Sequence, residues 1–258
     1  SPHLLRYNER VRIDGRDVED AVLVDAFAEV ERARGDIPLT YFEHGTLAAW
    51  VAFCRAGLEA IILEVGLGGR LDAVNVFEPD CAIVTSVAMD HMDYLGDNRE
   101  AIGFEKAGIF RAGRPAICSD PQPPASLLAH AEAIGVRLWV SGRDFGFSGD
   151  QNQWAFWTAG GSRRGGLAYP SLRGANQLLN AAAVMAACES VRDILPVPMQ
   201  AIRQGFMLVE LPGRFQVLPG RPSIVLDVAH NPQAAGVLNE NLASMGFFPE
   251  TWAVIGML

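Results

Sequence analysis

Two short apolar runs constrain this chain more than any other feature. They are residues 60–63 (Ala-Ile-Ile-Leu) and 82–87 (Ala-Ile-Val-Thr-Ser-Val). Runs of this length and composition predict strands buried on both faces, as in a parallel sheet. Glu64 follows the first run, and Asp90 and His91 follow the second. In open α/β sheets ligands sit beyond the carboxyl ends of the strands. A carboxylate and an imidazole placed there can share a hard divalent cation such as Mg²⁺ or Mn²⁺, with water completing the shell. The same residues also fit a plainer reading, a carboxylate paired with an arginine and a hydrogen-bonded histidine.

The flanking pattern extends the sheet. Helices are expected over 20–34, ended by Gly35, and over 45–56, ended by Gly57 and entered through a loop at 38–44. A hairpin turn is expected at 12–16, a helix at 97–110, a strand at 115–119 and a helix at 125–134. Strand and helix alternating through 45–140 predict an α/β fold, a mostly parallel sheet with flanking helices. Residues 136–171 interrupt it with an antiparallel excursion turning at Gly160-Gly161 and Gly165-Gly166. Apolar helices follow at 174–191 and 198–209. After a linker at Leu211-Pro212-Gly213-Arg214 come paired strands at 215–218 and 223–226, a helix at 232–245 and a closing strand over 253–258. The expected division is one domain over 1–210 and the start of a second, smaller α/β domain over 211–258.

Half of the 258 residues are apolar, enough for a sizeable core, and the net charge is −9. That balance, with a pI of about 5.0, argues against nucleic-acid and membrane-surface partners. An anionic substrate would need local cations or a metal. Cys54, Cys81, Cys118 and Cys188 show no metal-ligand spacing and read as reduced core residues of a cytoplasmic protein. No signal peptide and no apolar span of about 18 residues is present. The chain opens on Ser1-Pro2 without methionine and closes on a strand-like run, so it is expected to be part of a longer protein.

Three further stretches carry chemistry. Val65-Gly66-Leu67-Gly68-Gly69-Arg70-Leu71-Asp72 leaves the first run as a glycine-rich loop whose backbone N–H groups suit an anion, or simply a tight turn. It is neither a G-x-G-x-x-G nor a P-loop. Lys106 is the chain's sole lysine. A neutral lysine amine can act as a nucleophile or take up CO₂ as a carbamate, and arginine can do neither. An exposed helical lysine paired with Glu105 or Asp97, in a protein from a GC-rich genome, explains it equally. Asp227-Val228-Ala229-His230-Asn231-Pro232 ends a strand and opens a helix. Asn231 is the expected cap and Pro232 the first helical residue, which leaves Asp227 over for function. Asn176 and Asn180 lie on an apolar helix, as caps or inter-helix contacts.

Taken in order, Ser1-Pro2-His3-Leu4, Leu39-Thr40-Tyr41-Phe42-Glu43, Glu64 to Asp72, Asp90-His91, Glu105-Lys106-Ala107-Gly108-Ile109-Phe110, Leu211-Pro212-Gly213-Arg214-Phe215 and Asp227 to Pro232 span the chain. This series resembles the dihydrofolate synthase/folylpolyglutamate synthase enzymes of the Mur ligase superfamily. The resemblance implies an ATP-dependent amide ligase. ATP phosphorylates a substrate carboxylate, and the amine of L-glutamate attacks the acyl phosphate. The implied substrates are dihydropteroate, (tetrahydro)folates and L-glutamate, and the implied cofactors are Mg²⁺ and ATP. By resemblance Ser1, Glu64 and His91 match metal ligands. Lys106 matches a carbamylated lysine and, with His91, the catalytic pair. Thr40, Tyr41, Phe42, Glu43, Leu71, Asp72 and Ala73 match the pterin-substrate site, and Asn180, Arg214 and Asp227 match ATP contacts. The Thr-Tyr-Phe-Glu loop looks more like the bifunctional bacterial enzymes. The family's P-loop lies upstream of the Ser-Pro-His-Leu motif, and its C-terminal domain, with the glutamate site, extends further. The chain is therefore expected to be most of an ATPase domain plus the start of the next, inactive alone and a monomer when full length. The alternatives are a Mur-type ligase acting on a UDP-N-acetylmuramoyl-peptide and a non-catalytic pterin- and metal-binding module.

Overall fold

The computed structural model describes residues 2–89, 92–150, 152–172, 174 and 176–256. The chain forms two compact units, Ser1–Glu78 and Pro79–Leu258.

In the first unit, β1 (Arg12–Ile13) and β2 (Arg16–Asp17) pair antiparallel. Both turn residues, Asp14 (φ 51°) and Gly15 (φ 76°), are left-handed. That is the tight turn whose twist matches its strands. Helix α1 (Asp20–Arg34) buries Leu23, Ala26 and Val30, one face at helical spacing. Helix α2 spans Tyr41–Ala56 and so begins within the stretch expected as a loop. The cause is a capping box. The Thr40 hydroxyl accepts from the Glu43 amide at 3.3 Å, and the Glu43 carboxylate accepts from the Thr40 amide at 2.7 Å. Gly57, left-handed at φ 63° and ψ 41°, closes the helix. The two helices meet through Ala26, Val30 and Ala48.

Residues 60–63 are not the doubly buried strand expected. Ile61 and Leu63 pack onto the cluster of Val11, Val18, Leu23 and Phe53, whereas Ile62 is 92% exposed. Among the described residues no strand pairs with this run. Alternation is what an extended segment with one buried face produces.

The second unit holds the parallel sheet, β3 (Ala82–Val84), β4 (Pro115–Cys118) and β5 (Arg137–Val140), in that order. Ala82 pairs with Ala116, and Ala116 with Leu138. Strand β3 stops at Val84 rather than Val87 because side chains, described below, take over the backbone at Val87. Helices α3 (Met92–Leu95), α4 (Arg99–Ala107) and α5 (Ala125–Ala133) follow β3 and β4. Ile102, Ala107, Phe110, Leu127 and Ala131 from this region close one core with Val84 and Val140. Helix α4 is shorter than the expected 97–110. Asn98 caps it through the Ala101 amide at 2.8 Å, and the chain tightens after Ala107.

The antiparallel excursion is β6 (Phe145–Gly149), β7 (Trp154–Thr158) and β8 (Arg163–Leu167). It turns at Gly160-Gly161 as expected. Gly165 and Gly166 instead lie inside β8, where the β7–β8 register shifts between Trp154 and Phe156, so glycine there marks an irregularity rather than a turn. Phe145, Trp154 and Phe156 build one core with Ala182 and Met185 of α6 (Gln177–Ser190) and Phe206 of α7 (Met199–Leu208). Beyond it β9 (Gln216–Leu218) and β10 (Ile224–Leu226) pair antiparallel, and α8 (Pro232–Ser244) begins with the expected Asn231 cap, which accepts from the Ala234 amide at 2.8 Å. No strand forms over 251–256, where Val254 is fully exposed and has no ladder beside it among the described residues. Cys118 alone of the four cysteines is fully buried, and Cys54 is exposed on α2 rather than in the core. No described helix is long and apolar enough to cross a membrane.

Candidate active site

In the first unit the glycine-rich loop closes on itself. Asp72 Oδ2 accepts from the amides of Gly66 and Leu67, both at 2.9 Å, and Oδ1 accepts from Val74 at 3.0 Å. The backbone N–H groups expected to meet an external anion are thus already satisfied, at Gly66 and Leu67, by the loop's own carboxylate. The same bonds cap the 3-10 turn Ala73–Val76 and place Ala73. Leu71 is 80% exposed beside it.

The loop and the start of α2 come together at one contact. A Cβ on Gly66 would lie 2.7 Å from Phe42 Cζ, so the ring covers the glycine and would have to shift for any larger residue. The two stretches matched by resemblance to a pterin site are therefore neighbours. Within them Thr40 and Glu43 are also the capping pair of α2, and hydrogen bonds from Thr40 hold the Glu43 carboxyl below the usual range. Tyr41 is 65% exposed. Its ring meets Tyr7 edge-on at 5.9 Å, and the Arg10 guanidinium lies 5.6 and 5.7 Å from the two ring centres. Arg10 also donates to His3 Nδ1 at 2.7 Å. A pocket of about 370 Å³ opens beside Tyr41, lined by Phe27, Glu31, Arg34, Leu39, Thr40 and His44 among others. Arg34 is forked onto Glu31, which lowers that carboxyl's pKa, and His44 Nε2 stands 3.5 Å from the same carboxylate, long for a hydrogen bond. Glu64 is exposed at the end of the 60–63 run.

In the second unit the chain leaves β3 toward Asp90 and His91, which lie outside the described residues, as does Ser1. What precedes them is firmly placed. Val87 donates to Asp120 Oδ2 at 3.0 Å and accepts from Arg99 Nε at 2.9 Å. Arg99 Nη2 joins the same Asp120 oxygen at 2.8 Å and the Gln122 carbonyl at 3.0 Å. Ser119, at the end of β4, is fully buried, and its Oγ meets no hydrogen-bond partner among the described residues. Lys106 is half-buried on the last turn of α4. That helix is anchored to α5. Glu100 accepts from the Ala125 and Ser126 amides at 3.2 and 2.7 Å, bonds that lower its pKa, chiefly through Ser126.

Asp227 is likewise engaged by backbone. Its Oδ2 accepts from Phe215 at 2.8 Å and its Oδ1 from Ala229 at 2.8 Å. Phe215 is left-handed at φ 47°, strain that the first of these bonds helps to hold. Arg214, the neighbour of Phe215, is thus brought to the Asp227 strand end. The Asn180 side chain reaches Gln177 Oε1 at 3.5 Å on the exposed side of α6.

Among the described residues no group of three or more His, Cys, Asp or Glu side chains is gathered for a metal. Of the three ligands matched by resemblance, only Glu64 is described. A hydroxyl, a carboxylate and an imidazole nevertheless form a donor set suited to a hard divalent cation. Arg99 and Asp120 carry no signal in the sequence that would have singled them out. Arg99 follows a visible helix cap, but nothing in its spacing points to a carboxylate beyond the next strand.

Residues 27–188 match the Mur ligase middle domain. The chain belongs to the Mur ligase family. Within the Mur ligases it is 45% identical, over 258 residues, to the dihydrofolate synthase/folylpolyglutamate synthase of Escherichia coli, covering 100% of this chain and 60% of that relative. The structure of E. coli FolC in complex with DHPP and ADP superposes with a TM-score of 0.94 at 45% identity, covering 100% of this chain and 61% of that one. The bifunctional folylpolyglutamate synthase/dihydrofolate synthase of Yersinia pestis, complexed with AMPPNP and Mn ion, gives 0.88 at 47% identity over 95% of this chain and 58% of that one. This Mur ligase chain thus spans about three fifths of the length of the relatives it matches.

Proposed function

We propose that the protein carrying this chain is an ATP-dependent carboxylate–amine ligase. It adds L-glutamate to dihydropteroate and to (tetrahydro)folate through an acyl phosphate. The observation that carries the reading is the 45% identity maintained over the whole chain to a dihydrofolate synthase/folylpolyglutamate synthase. The abutment of Phe42 on Gly66, which joins the two stretches of the pterin-substrate match, supports it. In this reading residues 1–210 belong to the ATPase and pterin domain, residues 211–258 open the glutamate-binding domain, and the protein is a cytoplasmic monomer.

Thr40, Tyr41, Phe42, Glu43, Leu71, Asp72 and Ala73 hold the pterin end of the substrate. Tyr41 and Phe42 present aromatic faces, and Asp72 fixes the loop. Asn180, Arg214 and Asp227 contact the nucleotide. Ser1, Glu64 and His91 would hold Mg²⁺, which when bound neutralises charge on the transferring phosphoryl group. Lys106 supplies a further anion once its neutral amine adds CO₂, forming an N–C bond and releasing a proton. Lys106→Ala should lose at least about a hundredfold in kcat, as loss of a charge-stabilising group does, and a short carboxylic acid should restore part of it. Full activity in Lys106→Ala would remove the carbamate from the mechanism. The whole reading is tested with the full-length protein. ADP release should require Mg²⁺, L-glutamate and either dihydropteroate or tetrahydrofolate together, and failure of both acceptors to gain glutamate would overturn it.

A further inference from the structure

The ladder of the parallel sheet ends at β3 with Val84, and the Ser119 amide takes the Val84 carbonyl at 2.9 Å. From there the chain runs toward Asp90 and His91 with no strand neighbour to define it among the described residues. At Val87 both backbone polar groups are held, and both by side chains. Asp120 takes the N–H and Arg99 supplies the donor to the C=O. Asp120 is 7% exposed, and its second oxygen accepts from the Gln122 amide at 2.9 Å, so its carboxylate sits in fixed geometry beyond β4. Arg99 is the first residue of α4 and spends Nε on Val87 and Nη2 on both Asp120 and Gln122. Lys106 lies two helical turns further along the same helix, on the same face and about 10 Å along its axis.

One ion pair therefore ties together the backbone leaving β3, the backbone leaving β4 and the helix that carries Lys106. The Asp120 side chain is 9% exposed but that of Arg99 is 43% exposed, and a pair open to solvent on one side adds little stability. What it supplies here is direction, because a carboxylate and a planar guanidinium fork fix the main chain where no ladder does. We infer that Arg99 and Asp120 are positioning residues for divalent-cation binding, acting by fixing the segment after β3 and the face of α4 that bears Lys106. This rests on the ligase reading above, and neither side chain is assigned contact with the cation. Metal sites lose affinity when supporting groups shift their ligands, commonly about ten- to a hundredfold.

The test uses the full-length protein with ADP, and reads Mn²⁺ affinity from water-proton relaxation and Val87 protection from amide hydrogen exchange. Asp120→Asn and Arg99→Ala should each weaken Mn²⁺ binding about tenfold, the lower end of that range. Both should also speed exchange at Val87, while the KM for L-glutamate stays at its wild-type value. Arg99→Lys, which keeps the charge but loses the fork, should fall between, and it carries the comparison if Arg99→Ala does not fold. Glu64→Gln serves as the reference. If it weakens Mn²⁺ binding while Asp120→Asn and the Arg99 variants lower only the melting temperature, the pair is merely structural and the inference fails, with the ligase reading intact. If Glu64→Gln binds Mn²⁺ as tightly as wild type, the metal assignment fails and the inference falls with it.

Discussion

Several carboxylates of this chain accept from backbone amides while still exposed to solvent, and those bonds decide how they titrate. Glu100 is the plainest case. The Ser126 and Ala125 amides lower its pKa in the folded protein, and unfolding releases it to the ordinary carboxylate value. A group that holds its proton less readily when folded stabilises fully above its unfolded pKa, and loses that contribution as the pH falls through the lowered folded value. Glu100→Gln should therefore flatten the acid limb of stability, measured as urea midpoints from neutral to acid pH; an unchanged slope would show that the bonds to α5 carry no linkage. At this scale the sequence was only partly legible. The Thr40–Glu43 box and the Asn231 cap follow from local spacing. Asp72 and Asp227 were named as site residues, but their capture of Gly66, Leu67, Phe215 and Ala229 amides depends on how loops fold back, which spacing does not encode.

Among the elements, α4 and α5 approach closely because Gly103 leaves room. A Cβ at that position would lie 2.8 Å from both Cβ and Cγ of Pro124 and 3.1 Å from Ser126 Oγ. Two effects compete in Gly103→Ala. Helix propensity favours alanine by about 1 kcal/mol, whereas overpacking against a rigid proline ring costs about 1–3 kcal/mol. The clash should win, so Gly103→Ala is expected to lower stability by up to about 2 kcal/mol in chemical denaturation, and a gain would mean that α5 moves freely. Strongly periodic elements such as α1, α5 and α7 were readable to within a residue or two, since their buried faces repeat every third or fourth position. The 60–63 run was misread because a short apolar segment carries no sign of whether a neighbour covers both faces. Ile62 shows that one face is bare.

Across the whole molecule, the α/β class was legible from the alternation of runs and helices, and the antiparallel sheet from its aromatic content and Gly160-Gly161. The division into units at Glu78 and Pro79 carries no compositional mark. Thiol chemistry offers a probe of global stability. Burial raises the Cys118 pKa to about 11, so this thiol stays protonated and inert in the folded state, while Cys54 is exposed. A thiol reagent should modify Cys54 at once and Cys118 only at the rate of global opening; equal rates would place Cys118 in a locally opening region. The β7–β8 turn has a consequence of another kind. It is closed by bonds of its own, Thr158 to Ser162 at 2.9 Å and Gly161 to Thr158 at 3.0 Å, and Ala159, Gly160 and Gly161 are exposed. Ala159 is tied back to the Asp144 carbonyl at 2.8 Å, so the room for change lies at Gly160 and Gly161, and doubling the length of a flexible loop costs only about 0.6 kcal/mol. The turn is thus a natural splice point, where a short epitope or a fluorophore-bearing peptide placed between Gly160 and Gly161 should leave the melting temperature within a few degrees of the parent.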